Sequence, residues 1–184
     1  MIRIISGEFK GRKLKTPSGL EIRPTLDNVK ESIFNVIGDR IFNSMVLDLF
    51  AGTGSLGIES LSRGCKLVYF VDKSIRAVKI IEYNIGRLRN VEGRYKIIRG
   101  DALEFLHRFN KFKWDIVFLD PPYKINPEPM KRIFEILASR KITDSDSLIV
   151  YEFFFKKDIK SEIGDLCVIK ESHFGDKNVV YLRP

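Results

Sequence analysis

Hydrophobic positions in this 184-residue chain gather in short, almost uninterrupted apolar runs that alternate with longer stretches of helical period. The runs VLDLF (46–50), KLVYFV (66–71), YKIIRG (95–100), WDIVFL (114–119) and SLIVYEFFF (147–155) have the length of strands. Being apolar almost throughout, they predict burial on both faces. Helices are expected between them over 55–63, 74–88, 102–109 and 128–139, and this alternation implies a parallel sheet covered on both sides. Upstream, Leu26, Val29, Ile33, Phe34, Val36 and Ile37 recur at helical spacing behind Thr25, a suitable N-cap. RIISG and GRKLK, around Gly7 and Gly11, predict a small N-terminal hairpin. LCVIKES and NVVYL, separated by HFGDKN, predict an antiparallel pair at the other end.

The length suits one domain spanning 1–184, with a basic arm at 1–24 and a core at 25–184. No apolar run approaches a membrane span, and the opening MIRIISGEFKGRK lacks the apolar stretch of a signal peptide, so a cytoplasmic protein is expected. Cys65 and Cys167 lie far apart with no CxxC, which suggests neither zinc nor a disulfide and predicts buried thiols. His107 and His173 are equally isolated. The net charge of +8 points to a polyanionic partner. Arg87, Arg89, Arg94 and Lys96 are scattered among acids and read as solvated faces. Residues 1–24 differ: Arg3, Lys10, Arg12, Lys13, Lys15 and Arg23 stand against Glu8 and Glu21 alone, a candidate RNA-binding arm.

After the first core strand comes Ala51-Gly52-Thr53-Gly54-Ser55-Leu56-Gly57, a G-x-G-x-x-G turn between strand and helix, and Asp72 closes the next strand 18 residues beyond Gly54. There an acid can hold ribose hydroxyls, with Lys73 beside it. Alone the pattern suits a dinucleotide equally well. Asp48 within the first strand, ahead of Phe50, favours S-adenosylmethionine. A carboxylate can meet the donor's amino group, whereas a pyrophosphate wants helix N-terminal amides and no nearby anion. Asp101 and Ala102, ending the third strand, can meet an adenine, Asp101 by accepting from its N6 amine.

Asp120-Pro121-Pro122-Tyr123 follows WDIVFL, where two prolines forbid continuation of the strand. The chain opens there at the carboxyl rim of the sheet, where open α/β sheets place ligands. Asp120 can accept one N–H of an exocyclic amine, the Pro121 carbonyl the other, and Tyr123 can stack on the ring, with Pro122 stiffening the turn.

The ordered set RIISGEFKGRKL, RPTLDNVKESIFN, LDLFAGTGSLGIESLSRG, VDKS, GDALEFL and VFLDPPY resembles the bacterial 16S rRNA (guanine-N2)-methyltransferase family over essentially the whole chain. The resemblance implies a Rossmann-like class I methyltransferase fold, α/β, with a seven-stranded mixed sheet in the order 3-2-1-4-5-7-6. It also implies S-adenosyl-L-methionine as donor, no metal, and guanine-966 of 16S rRNA, in an assembling small subunit, as target. Two positions depart from the family pattern. Asp72 stands where Glu is usual, and Phe174-Gly175-Asp176 stands where a Tyr-Gly-Asp motif is usual.

A guanine N2 lone pair is delocalised into the ring, so two acceptors on its N–H bonds would help localise it toward the methyl donor. The base must be unstacked to reach the rim, with Tyr123 replacing the lost stacking. Two rival readings remain. A DNA adenine-N6 methyltransferase uses a similar clamp, although the 61 residues after Tyr123 leave little room for a target-recognition region. A non-catalytic RNA-binding assembly factor is opposed by the intact acids at 48, 72, 101 and 120.

Overall fold

The structure, a computed structural model, describes residues 2–17, 25–122, 127–154 and 159–184, and the side chains of all of these except Thr25 and Leu26. Helix α1 (Thr25–Ile37) leads through a 3-10 turn (Gly38–Ile41) into β1 (Met45–Leu49). Then follow α2 (Ser55–Ser62), β2 (Leu67–Asp72), α3 (Ile75–Ile85), β3 (Tyr95–Arg99), α4 (Ala102–Arg108), β4 (Ile116–Leu119), α5 (Pro127–Ala138), β5 (Leu148–Phe154), α6 (Lys160–Ile163), β6 (Cys167–Phe174) and β7 (Lys177–Arg183). The seven strands form one sheet in the order β3-β2-β1-β4-β5-β7-β6, as expected. β1 to β5 pair in parallel, while β7 runs antiparallel to both β5 and β6.

The core strands are apolar throughout because both faces are covered. Side chains of β1 alternate between two clusters. Val46 joins the one under α1, α2 and α3, whereas Leu47 and Leu49 join the one under α4, α5 and α6. Gly57 is required by this packing: a Cβ there would lie 2.2 Å from the Phe70 ring. β1 connects onward to β2 on one side and pairs with β4 on the other. The crevice at the carboxyl ends of β1 and β4 is therefore the topological switch point, where such sheets bind ligands.

Several expectations shift. The N-terminal hairpin is a single antiparallel bridge, Arg3 to Lys13, flanked by bonds from Ile4 N–H to the Arg12 carbonyl (2.9 Å) and Leu14 N–H to the Ile2 carbonyl (2.9 Å). Most of its edge is spent on α2 instead. The buried Glu59 carboxylate accepts from the N–H groups of Ile5 (2.8 Å) and Ser6 (3.0 Å), and Ser62 Oγ accepts from Phe9 N–H (2.9 Å). Thr25 is the first helical residue of α1, not the residue before it. Helix α3 stops at Ile85, three residues early, ahead of Gly86. Trp114 and Asp115 precede β4; their N–H groups bond to the carbonyls of Ile142 and Met45. Cys167 is exposed on the edge strand β6, while Cys65 is buried as expected. Arg94 is no solvated face: Nη2 donates to the carbonyls of Leu61 (2.9 Å) and Cys65 (3.1 Å), tying α2 to the sheet. Among the described residues, no helix is long and apolar enough to cross a membrane.

Candidate active site

A cavity of about 790 Å³ opens at the switch point, lined by the ends of β1 to β4 and by α3, α4 and α5. Phe50, Gly52, Asp72, Lys73, Asp101, Ala102, Asp120 and Pro122 lie in its wall. The local folding of each strand end explains how.

Phe50 leaves β1 with φ of 62°, a left-handed conformation uncommon outside glycine, which aims its ring into the cavity. Gly52 (φ 56°) and Gly54 (φ 75°) continue the turn, and Gly54 caps α2. Asp72, ending β2, braces this loop: Oδ2 accepts from Gly52 N–H (2.8 Å) and Oδ1 from Ser74 N–H (2.8 Å). Each carboxylate oxygen keeps a further lone pair for a ligand hydroxyl. Asp101 caps α4, its Oδ1 accepting from the N–H groups of Leu103 (2.9 Å) and Glu104 (3.3 Å). The sequence D-A-L-E carries the signal of such a cap, a role separate from adenine binding.

Asp48 and Gly54 do not line the cavity. Gly54 faces the side chains of Ile81, Ile58 and Phe70, and Asp48 is buried behind the loop, where Oδ2 accepts from Gly57 N–H at 2.9 Å. Burial holds the Asp48 carboxyl well above the usual range; the Gly57 bond opposes this, and the charges of Asp120 and Asp72 add to it. Asp48 thus anchors the first turn of α2 from below.

Asp120 follows β4 directly and opens onto the cavity. Crowding by protein pushes its pKa up, to about 7, helped by the Glu152 carboxylate and opposed by Lys177. Its side facing the cavity is exposed, which limits that rise. The last paired residues of β4 and β5 are Leu119 and Tyr151, so Asp120 and Glu152 are the next neighbours across the strands. Lys177, opening β7, makes an ion pair with Glu152. Sequence reasoning missed both residues. A signal existed in Glu152, an acid inside the otherwise apolar LIVYEFF; Lys177 reaches it only because β7 returns antiparallel to β5.

Pro121 is buried and Pro122 exposed, while Tyr123 and Arg23 lie outside the described residues. Of the arm residues, Arg3 Nε pairs with Asp27 (3.3 Å) and Arg12 Nη1 donates to the Arg87 carbonyl (2.6 Å); Lys10 and Lys13 are exposed. His107 and His173 are not in the cavity wall. Taken together, the wall offers acceptors at three strand ends and an aromatic residue, and behind Asp120 stands the ion pair of Glu152 with Lys177. Such a wall suits an elongated nucleoside-bearing ligand that ends beside Asp120.

A family known as Conserved hypothetical protein 95 matches residues 2–183. The chain is 38% identical to YlbH of Bacillus subtilis over 176 residues, covering 95% of this chain and 94% of that protein. It is 40% identical to ribosomal RNA small subunit methyltransferase D of Haemophilus influenzae over 126 residues, 68% of this chain and 65% of the relative. Among solved structures, yhhF from Escherichia coli superposes with a TM-score of 0.84 at 26% identity, covering 99% of this chain and 97% of that one.

Proposed function

This chain belongs to the Conserved hypothetical protein 95 family, and we propose that it methylates small-subunit ribosomal RNA, using S-adenosyl-L-methionine to modify the exocyclic N2 amine of a guanine, guanine-966 by its resemblance. The observation that carries the reading is the cavity at the switch point, with Asp120 at one end and Asp101 and Asp72 at the strand ends beyond. The names of the relatives support the reaction class and the ribosomal substrate. The residues fit the donor: Asp72 can hold ribose hydroxyls, Asp101 and Ala102 the adenine, and Phe50, Gly52 and Lys73 the walls between. Asp48 would act indirectly, by fixing the turn above it. When bound, S-adenosylmethionine supplies an electrophilic methyl group.

The chain's own part is orientation and proton transfer. Asp120 accepts one N–H of the guanine amine and the Pro121 carbonyl accepts the other, which helps localise the nitrogen lone pair and aims it along the cavity. After transfer, Asp120 or water takes the proton from the product nitrogen. Tyr123 would stack on the extruded base. The single catalytic domain, its cytoplasmic setting and a substrate within an assembling small subunit belong to the same reading. A DNA adenine-N6 methyltransferase is the outcome to exclude. Mapping methylated guanines in 16S rRNA from cells with and without the protein tests the proposal, and methyl transfer to duplex DNA in place of ribosomal RNA would overturn it.

For the donor site, Asp72→Ala is expected to weaken S-adenosylmethionine binding by about 1–3 kcal/mol, the size of a hydrogen bond to a charged group. Calorimetry measures this. Unchanged affinity would leave Asp72 as a loop brace only.

The pH dependence has a definite sign. Asp120 works as an acceptor only when ionised, so kcat/KM should fall as pH drops through its raised pKa, on a limb between the ordinary carboxylate range and about 7. The charged groups around it are Asp48 from β1, Glu152 from β5 and Lys177 from β7. Lys177→Met removes the compensating cation and should move the acid limb to higher pH, whereas Glu152→Gln removes the like charge and should move it lower. Limbs that stay in place in both variants would show that the pair serves the fold alone.

A further inference from the structure

Helix α3 starts at the cavity and ends at the N-terminal arm, and its outer face carries an unbalanced charge. Residues 73–89 hold Lys73, Arg76, Lys79, Arg87 and Arg89 against Glu82 alone. Lys79 and Tyr83 stand four apart on the exposed side of the helix, and Arg87, in the turn just past its end, extends that stripe by lying over the Tyr83 ring. Lys73 and Ser74, at the start of the helix, belong to the cavity wall. At the far end, about 16 Å along the 11-residue helix, the arm docks.

That docking brings like charges together. The buried Asn84 accepts from Lys15 N–H (2.7 Å) and donates to the carbonyls of Lys15 (3.1 Å) and Thr53 (3.0 Å), locking the arm to α3 and to the glycine loop. Lys15 Nζ then sits 4.5 Å from the centre of the Tyr83 ring, with the Arg87 guanidinium at 5.6 Å. Arg12 reaches the Arg87 carbonyl at 2.6 Å. Two cations thus meet on one ring that is 47% exposed, with a third, Arg12, held beside them over the Phe9 ring at 5.3 Å. Among the described residues none of Arg12, Lys15, Lys79 or Arg87 has a carboxylate within ion-pair distance. Packed cations without counter-charge repel one another, and an anion laid across them relieves that repulsion. Extended phosphodiester with unstacked bases fits both parts: phosphates meet the cations and a base meets the ring.

We propose that the outer face of α3, with the arm locked against it, binds the single-stranded RNA flanking the target nucleotide, taking its phosphates on Lys79, Arg87, Arg12 and Lys15 and one base on Tyr83. The inference rests on the functional reading above and extends it, since it assigns the path of the strand away from the cavity. It also turns Arg87 from a solvated surface residue into part of an interface.

The test compares the parent with Lys79→Ala/Arg87→Ala and with Tyr83→Ala. Each is titrated with a transcript of the small-subunit ribosomal RNA over a series of salt concentrations, and donor affinity is measured in parallel. The double variant should bind the transcript at least about tenfold more weakly and reduce the slope of log K against log salt by up to about two units. Tyr83→Ala should weaken binding about tenfold with the slope unchanged, because stacking releases no counterions. Both should bind S-adenosylmethionine like the parent. If the parent binds and methylates the transcript while both variants match it in affinity and slope, the surface assignment is overturned and the functional reading stands. A parent that neither binds nor methylates small-subunit ribosomal RNA, either as the transcript or in particles from cells lacking the protein, overturns the functional reading, and this inference with it.

Discussion

Asp120→Ala is expected to lower the methyl-transfer rate by about 10²–10³-fold, roughly 3–4 kcal/mol of barrier, while leaving the affinity for the donor within about twofold. The residue stands at the end of β4, beyond the loop and strand ends that would hold the nucleoside, so its loss removes an acceptor for the target amine and little else. Single-turnover methyl transfer with saturating donor separates the two effects. The fold should not suffer. Asp120 opens onto the cavity, and removing a crowded carboxylate beside Glu152 also relieves a like-charge repulsion. A rate within about threefold of the parent, under 1 kcal/mol, would mean that the amine is oriented by something other than this carboxylate.

The strands around that site were legible because a doubly covered parallel sheet needs apolar residues on both faces, and each of the five core runs lies within a residue or two of its strand. Boundaries moved where a backbone bond, not a side chain, decides the end. Trp114 N–H goes to Ile142 and Phe50 turns left-handed, and neither event has a hydrophobic signature. Asp72 and Asp120 could be placed beside the cavity because each closes a strand at the switch point. Asp48 could not, since a carboxylate inside a strand can face a ligand or a helix start, and only the bond to Gly57 decides between them. The partnership of Glu152 with Lys177 was hidden for a topological reason, the antiparallel return of β7. Lys30 and Glu59 were hidden as well. On a helix, charged residues ordinarily read as solvent-facing, and here both point inward.

That buried pair carries the largest expected effect on stability. Glu59 is wholly inaccessible and joins three pieces of chain: Ile5 and Ser6 of the arm through their N–H groups, Lys30 of α1 at 3.6 Å, and α2, which supplies the acid and, at its C-cap, Arg63 at 2.8 Å. Lys30 in turn donates to the Arg3 carbonyl (2.6 Å) and to Ser55 Oγ (3.1 Å) at the start of α2. Burial lowers the Lys30 pKa and Glu59 opposes that shift, so removing the acid leaves the ammonium with its desolvation largely uncompensated. Glu59→Ala should therefore destabilise the fold by about 3–5 kcal/mol, or about 10 °C in Tm for a chain of this size. It should also release the arm, making the chain before Lys15 sensitive to limited proteolysis well below the unfolding transition. Lys30→Met/Glu59→Leu, which removes both charges, should regain much of the loss, because the large term is the unpaired buried ion and not the pair's own attraction. Thermal unfolding with proteolysis in parallel measures all three proteins. A single variant within about 1 kcal/mol of the parent, with its arm still protected, would show that the arm is held by its apolar contacts, Ile4, Phe9 and Leu14, and that Glu59 only fills its site.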